Sequence, residues 1–395
     1  MKNNPPLRLL PGASFWRDER FLRVVGQLVF VVVLVLIVAY LAENMQTSLR
    51  RQGVVLSFNF LRNTAGFDIG ESLINYSRTS SFASAFLVGL LNTLLVSALG
   101  IVFATLLGVL FGVARLSGNF LVRNIAASYI ELLRNIPLLV LLIFAYIGVF
   151  IKLPRVREAI TLPGPTLLSN RGVAIPWGIP TETYQTFLMI VGMGVLLAWV
   201  VREYLAQTAR KTGRPPLYLL WMGLTLLATV VIGWLLLPSP PLAYSAPALQ
   251  GLRLAGGKQL SPEFMALVSG LSIYTSAFIA DVVRSGIQAI SRGQVEAARS
   301  VGLPGFLILR LIIFPQALRV IIPPLTSQFL NLTKNSSLAV AIGYPELFHV
   351  TGTILNQSGR AVEMISLAMA TYLLISLLTS AFMNWYNQRV RLVER

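Results

Sequence analysis

The sequence has no cysteine, only one histidine and few charged residues, which make up 12% of its 395 positions. The absence of cysteine excludes disulfides, thiolate metal sites and a cysteine nucleophile. The single His349 cannot form a histidine cluster, and we expect it in a loop or at a membrane boundary. Soluble globular proteins have about 25% charged residues. With 55% hydrophobic residues and a mean hydropathy of +0.72, much of this chain must face lipid or be buried.

The charged residues that are present are mostly basic, with 32 Lys and Arg against 15 Asp and Glu and a net charge of +17. Such a charge permits nucleic-acid binding, but no soluble segment shows a basic face with interleaved aromatic residues. Membrane proteins collect Lys and Arg in their cytoplasmic loops. The composition therefore indicates an integral membrane protein rather than a nucleic-acid-binding one.

Eight segments are long and apolar enough to cross a bilayer as a helix, which takes roughly 20 predominantly apolar residues. The predicted spans are 22–42, 85–114, 126–150, 186–201, 217–237, 264–284, 318–343 and 364–385. Arg17, Arg20 and Arg23 lie before or at the start of the first span, as basic residues do in a signal peptide. Its apolar run exceeds the core of about 7–15 residues that a signal peptide has, so we predict a retained anchor.

The distribution of Lys and Arg predicts the orientation of these spans. With a cytoplasmic N-terminus, the cytoplasmic segments contain 19 of these residues and the longer external segments contain 11, in agreement with the positive-inside tendency. Both termini are then cytoplasmic. The external segments 43–84, 151–185 and 238–263 are rich in Pro, Gly, Ser and Asn, which argues against long helices or central strands there.

The spacing of the spans divides the chain into four parts. Residues 1–84 form a tail, the first anchor and an external loop, and residues 85–150 form the first part of a membrane core. Residues 151–262, with spans four and five, are predicted to be an insertion. Residues 263–395 form the second part of the core.

A basic loop follows span six and has the pattern of a short helix. Ser291 and Gln294 match a capping box, which can start a helix. Gly302 can adopt the left-handed backbone conformation that commonly ends a helix, and Pro304 prevents the helix from continuing. Three apolar residues share one face of this helix: Val295, Ala298 and Val301. A helix of about three turns is not stable alone in water, so it must pack on its own protein or on a partner.

The residues around this loop form two blocks that have a family pattern. The first block contains Tyr274–Phe278, Asp281–Ile287, Gly293–Ala298, Gly302-Leu303, Phe314–Arg319, Pro323-Pro324 and Lys334–Leu338. The second contains Gly89–Leu94 and Tyr129–Leu138. Together they resemble the membrane-spanning subunits of bacterial ABC importers for polar amino acids, of the histidine/glutamine permease type. The extra first span and the inserted pair of spans resemble the general L-amino-acid subgroup.

This resemblance implies an all-α integral membrane protein with a type I ABC importer permease core, an extra N-terminal helix and an inserted helix pair. It also implies a bacterial inner-membrane location, a second permease subunit that is related rather than identical, and an external binding protein that delivers an amino acid. Two ATPase subunits would bind ATP and Mg, while this chain binds no cofactor and catalyses no reaction. The residues expected to couple to the ATPase are Gly293, Glu296, Ala297, Ala298 and Gly302.

The chain departs from the family pattern at three places. Phe314-Pro315 stands where Leu-Pro is usual, and Asp281 stands where Glu is common. Arg134-Asn135-Ile136-Pro137 stands where Arg-Gly-Thr-Pro is common. The last two departures leave the selectivity for the substrate open. No ATPase loop is present, because Gly257-Lys258 lacks the first glycine and the hydroxyl residue of a Walker A motif.

Ionisable residues within membrane spans are costly and often functional. The candidates for substrate contact are Asp281, Lys334, Asn335, Ser336 and Arg134. One hypothesis is that Asp281 holds the amino group of an amino acid while Asn335 and Ser336 lie near its carboxylate. The alternative is structural, because residues three apart on a helix can pair: Asp281 with Arg284, and Glu131 with Arg134.

Two other functions remain open at this stage. A gradient-driven secondary transporter would place its binding groups on broken helices near the middle of the membrane, and Pro323-Pro324 would break span seven. An ABC importer for another small polar solute, such as an opine, is the second alternative.

Overall fold

The computed structural model describes residues 19–51, 56–212, 217–251 and 253–390. The chain divides into two units, residues 1–60 and residues 61–395. The first unit contains helix α1, Glu19–Arg51, in which Leu22–Met45 is long and apolar enough to span a membrane. Its apolar side chains are exposed, as the predicted first span requires. That this span is retained as an anchor stays a prediction.

The second unit is mostly helical. Its α-helices are α2 Phe82–Ala114, α3 Phe120–Asn135, α4 Leu138–Ile143, α5 Tyr184–Thr212, α6 Tyr218–Leu236, α7 Pro262–Gln288, α8 Arg292–Ser300, α9 Gly305–Ile308, α10 Phe314–Asn335, α11 Leu347–Ser358 and α12 Ala361–Val390. Two π-helical segments extend α4 and α9, at Phe144–Phe150 and Leu309–Ile313. Short 3-10 segments occur at Asn59–Arg62, Val156–Glu158 and Ser336–Ile342.

Eight short strands lie between the end of α4 and the start of α7. They are β1 Ile160–Leu162, β2 Thr166–Ser169, β3 Gly172–Ile175, β4 Trp177–Pro180, β5 Leu242–Ser245, β6 Ala248–Gln250, β7 Arg253–Ala255 and β8 Lys258–Leu260. β1, β2, β3 and β8 form one antiparallel sheet in that order, while β4 pairs with β5 and β6 with β7. The expectation that no central strand forms here is wrong, because Pro163 and Pro165 lie in the β1–β2 turn, where no ladder hydrogen bond is needed.

Seven helices among the described residues are long and apolar enough to cross a membrane, and an eighth span results if α3 and α4 count as one bent element. The chain bends by 105° between them. The bend occurs at Ile136-Pro137, where Ile136 is extended with ψ of 131°, as expected for the residue before a proline. The predicted span 126–150 is therefore broken at its middle. The fourth span is longer than predicted, because α5 continues to Thr212.

The predicted break of span seven at Pro323-Pro324 is wrong. α10 continues through both prolines, and the two residues directly before them, Ile321 and Ile322, are buried. Prolines are tolerated in membrane helices because neighbouring helices can satisfy the backbone groups that the prolines free. The helix ends instead at Asn335, within the polar residues 331–337, and continues as the 3-10 segment Ser336–Ile342.

The core of the second unit is the contact between α2 and α7, with α4 and α10 packed around it. One face of α2 has only small residues at intervals of four, which allow membrane helices to approach closely: Gly100, Ala104, Gly108 and Gly112. A Cβ atom at Gly112 would lie 2.7 Å from Ala280 O on α7. α5 and α6 pack mainly on each other, for example through Phe187 and Trp234, whose rings meet edge to face at 5.9 Å.

Candidate coupling surface and ionic sites

The loop between α7 and α9 carries α8. The helix ends at Gly302, whose φ of +78° is a left-handed conformation that favours glycine, and whose N–H donates to Arg299 O at 2.9 Å. The predicted stop at Gly302 is confirmed. The predicted capping box is wrong: Ser291 makes no side-chain capping bond. The side chain of Gln294 instead accepts a hydrogen bond from Gln316 Nε2 of α10 at 3.4 Å.

The two faces of α8 have different environments. Ala298 is 3% exposed and fastens the helix to its own protein, with Val295 half-buried beside it. Val301 was predicted to continue this face, but it is 74% exposed. The opposite face exposes Gly293, Glu296, Ala297 and Ser300. Of the predicted coupling residues, Ala298 thus holds the helix in place, whereas Gly293, Glu296 and Ala297 remain accessible.

A cluster of charged side chains joins α3 to α7. The carboxylate of Asp281 accepts hydrogen bonds from Arg284 Nη2 at 2.8 Å and from Arg134 Nη1 at 3.0 Å. The guanidinium of Arg134 also lies over the ring of Phe278, 5.7 Å from its centroid. The Asp281 side chain is 30% exposed, so a small solute can reach it. One carboxylate between two guanidinium groups leaves this cluster with a net positive charge.

The expected pairs at this cluster are only partly present. Asp281 does pair with Arg284, three residues along the same helix. Glu131 does not pair with Arg134, because the packing of α3 across two neighbouring helices offers each a different partner. Glu131 Oε1 lies 3.5 Å from Arg115 Nη2 at the end of α2, and Arg134 reaches Asp281 on α7.

The other predicted substrate residues lie at a different depth. Gly100 of α2 contacts Leu332 of α10, while Gly108 of α2 contacts Ile279 of α7. Eight helical residues measure about 12 Å, so the end of α10 is at least that far along the bundle from Asp281. This distance between backbone levels exceeds the separation between the amino and carboxylate groups of an α-amino acid.

The three residues at the end of α10 also differ in accessibility. Ser336 is fully buried, and its hydroxyl donates to Thr333 O at 2.7 Å. Asn335 is half-buried. Lys334 is exposed at the rim of a largely apolar cavity of about 440 Å³ between the end of α10, α11 and α12. Of these three, Lys334 is the most exposed.

A polar cleft lies at the start of α7, at the end opposite to α8. It consists of two adjoining cavities of about 370 Å³ each, which share Gly70, Glu71, Ser261 and Glu263. The Ser261 N–H donates to Glu71 Oε1 at 2.6 Å, and burial raises the pKa of the Glu71 carboxyl. His349 lines one of the two cavities, in the first turn of α11 rather than in a loop. The sequence analysis did not single out Glu71, and its only signal was an acid within a Pro- and Gly-rich segment.

The same end of the bundle is held by a buried acid that the sequence analysis also missed. Glu346 is fully buried and caps α11 by accepting hydrogen bonds from the N–H groups of Phe348 and His349 at 2.8 and 2.7 Å. Tyr372 of α12 donates its hydroxyl to the same carboxylate at 2.8 Å. An acid directly before an apolar helix is an N-cap signal, which could have identified Glu346.

Comparison with known proteins gives the family. Residues 104–392 match the model of the binding-protein-dependent transport system inner membrane component. The chain is 45% identical over 388 residues to the general L-amino acid transport system permease protein AapQ of Rhizobium johnstonii, which covers 96% of this chain and 94% of the relative. The chain belongs to this family. The permease is also 39% identical over 429 residues to the glutamate/glutamine/aspartate/asparagine transport system permease protein BztB of Rhodobacter capsulatus, over 100% of both chains.

Among solved structures, the permease is similar to a crystal structure of an amino acid ABC transporter with histidines. The sequence identity is 22% and the TM-score 0.47, over 78% of the permease and 95% of that chain.

Family membership decides the class of function. The permease is the membrane-spanning subunit of an ABC importer. ATP hydrolysis occurs in a separate subunit, so the permease is not an enzyme. Importers of this family also contain a substrate-binding protein and a second permease subunit. The importer is therefore favoured over the gradient-driven secondary transporter.

Proposed function

We propose that this permease forms, with a second and related permease subunit, the path of an ATP-driven amino-acid importer in a bacterial inner membrane. Two ATPase subunits, which bind ATP and Mg, drive the importer, and one of them docks on the exposed face of α8. The observation that carries the proposal is the asymmetry of α8, whose Ala298 face is fastened to the protein while Glu296 and Ala297 are exposed. The names of the relatives AapQ and BztB support amino acids as the substrate class.

The same arrangement supports the orientation. α7 has 27 residues, which measure about 40 Å as a helix and cross a bilayer. Strand β8 directly precedes α7, and α8 directly follows it. If α8 meets an ATPase in the cytoplasm, the strands and the polar cleft lie outside. Both termini are then cytoplasmic, as the distribution of Lys and Arg predicts.

For the substrate we propose an exchange of ion pairs at Asp281. An amino acid is a zwitterion, and Asp281 and Arg134 provide one group of each charge on two different helices. The amino group of the substrate would replace Arg134 at the Asp281 carboxylate, and the released guanidinium would take the substrate carboxylate bidentately. Arg284 stays on the other oxygen, 2.8 Å away, and holds Asp281 in place. Lys334, which is exposed nearer the outside, would attract the carboxylate before it reaches this pair.

Charge reversal at Glu296 tests the coupling proposal. Glu296→Lys places a positive charge opposite any cationic group of the ATPase that contacts this face, and the two would repel each other. Substrate-stimulated ATPase activity and uptake should therefore both fall at least about 10-fold, while membrane insertion is unchanged. Glu182→Lys, an exposed acid near β4, is the matched control and should behave as wild type. Wild-type coupling in Glu296→Lys would show that the ATPase docks elsewhere.

Uptake kinetics test the substrate contact. Asp281→Ala should raise the apparent KM about 10-fold or more, because a hydrogen bond to a charged group contributes about 1.5–3 kcal/mol. Arg284→Ala breaks the local pair but keeps the carboxylate, so its apparent KM should remain within a few-fold of wild type. An unchanged apparent KM in the reconstituted Asp281→Ala importer would assign Asp281 a structural role only.

A further inference from the structure

Three exposed arginines line one cavity in the sheet region that precedes the inserted helices. Arg155, Arg157 and Arg171, with Val156 and Asn170, surround a space of about 460 Å³. No acidic side chain in the described part of the chain forms a salt bridge with any of the three, although Glu158 directly follows Arg157. We call Arg155, Arg157 and Arg171 the basic rim.

The backbone under the basic rim is held in place. Val156 is 7% exposed and anchors the 3-10 segment that carries Arg155 and Arg157. The Asn170 N–H donates to Pro154 O at 2.8 Å, which ties the turn between β2 and β3 to this segment. Ser169 is fully buried, and its hydroxyl accepts from the Arg171 N–H at 3.3 Å. The three arginines therefore start from fixed positions, although their side chains extend into solvent.

The basic rim borders the polar cleft. Asn170 and Arg171 line both the rim cavity and the adjoining cleft cavity, which also contains Glu71 and Glu263. The cleft itself is acidic apart from Arg171, so the sign of the charge changes from the cleft to its edge. A protein that releases a solute into the cleft would come close to this edge.

The positive charge of this segment also opposes the usual distribution. Residues 151–185 contain four basic and two acidic residues, although the external segments of membrane proteins usually carry fewer Lys and Arg than the cytoplasmic ones. Positive side chains without salt-bridge partners on a rigid surface attract a negatively charged partner and raise the rate at which it associates with that surface.

We propose that the basic rim is a docking surface for an acidic face of the importer's substrate-binding protein, and that the inserted segment 151–262 exists in part to present it. This inference rests on the proposed function, because the rim faces the binding protein only if the strands lie outside the membrane. It adds to that function the place where the binding protein docks, the negative charge of its docking face and a role for segment 151–262.

The test is a titration of the complete importer in nanodiscs with its own binding protein, with ATPase stimulation as the readout. Replacing Arg155, Arg157 and Arg171 together by Gln should raise the half-maximal concentration of binding protein about 10-fold at low salt, since rim charges act mainly on encounter. The ratio of the half-maximal concentrations of variant and wild type should fall towards one near 0.5 M salt, where charges are screened within about 5 Å. The rate at saturation and the ATPase rate without binding protein should stay as in wild type.

Arg62→Gln is the control, because Arg62 is also exposed in a predicted external segment but does not line the rim cavity. A triple variant whose half-maximal concentration equals that of wild type at low salt overturns the proposal. An effect that appears only in nanodiscs containing phosphatidylglycerol, at every concentration of binding protein, also overturns it, because the rim would then bind lipid headgroups. A wild-type importer that shows no stimulation at all would contradict the proposed function instead.

Discussion

The close contact between α2 and α7 can be tested with a single added methyl group at Gly108. A Cβ atom there would lie 2.6 Å from Ile279 Cβ and 3.1 Å from Ser276 O. Ile279 and Ser276 are both fully buried, and one of the contacts is a backbone atom, so neither can move aside freely. Overpacking costs about 1–3 kcal/mol, and this short contact belongs in the upper part of that range.

Part of this cost is offset, because Ala favours a helix over Gly by up to about 1 kcal/mol. The expected net destabilisation of Gly108→Ala is therefore about 1–2 kcal/mol, a factor of about 5–30 in the ratio of folded to unfolded protein. The assay is the fraction of reconstituted importer that remains monodisperse in size-exclusion chromatography after heating.

Gly192→Ala is the matched control for this substitution. Gly192 is also in the interior of a membrane helix, α5, but an added Cβ there meets nothing within 4 Å. It should melt at or slightly above the wild-type temperature, while Gly108→Ala should melt several degrees below it. If Gly108→Ala is as stable as Gly192→Ala, the close approach of α2 to α7 does not hold the core as we describe.

Two further predictions concern the outer end of the bundle. Tyr372→Phe removes the only hydroxyl that the structure shows donating to the Glu346 carboxylate. The free energy of local opening of α11, measured by amide hydrogen exchange, should fall by about 1–3 kcal/mol. Unchanged exchange would refute the role of this bond. Burial raises the pKa of Glu71, so the folded state holds the proton to higher pH than the unfolded state does. Stability should therefore fall as pH rises from the ordinary value of 4.5 towards the raised pKa and then stay level. Glu71→Gln, whose amide oxygen can still accept from Ser261, should melt without this fall, and an identical pH profile in both proteins would contradict the assignment.

Local signals in the sequence were sufficient for features that depend on one stretch of chain. Gly302 ends α8 as predicted, because a left-handed glycine stops a helix whatever surrounds it. Pro137 breaks the third span, since proline restricts its own backbone and that of Ile136. The signal for this bend was therefore also local, but the prediction of span 126–150 relied on hydropathy averaged over many residues, which does not register a change of direction.

Features that depend on distant residues could not be predicted in the same way. Ser291 and Gln294 had the pattern of a capping box, but Gln316 of another helix binds Gln294 instead. The strands of the sheet pair residues as distant as Val173 and Leu260, and short runs with little alternation gave no signal for them. Glu346 had a cap signal, but its bond to Tyr372 depends on how α12 packs.

The sequence by itself determined that this is a membrane protein with about eight spans and a short helix in a basic loop. A helix that crosses lipid needs one long apolar run, and a glycine ends a helix within one turn. Both features are therefore properties of the local sequence. Only the tertiary structure decided which charges meet. Asp281 and Arg134 are 147 residues apart and pair because α3 packs across α7, and the basic rim borders the acidic cleft because β3 pairs with β8.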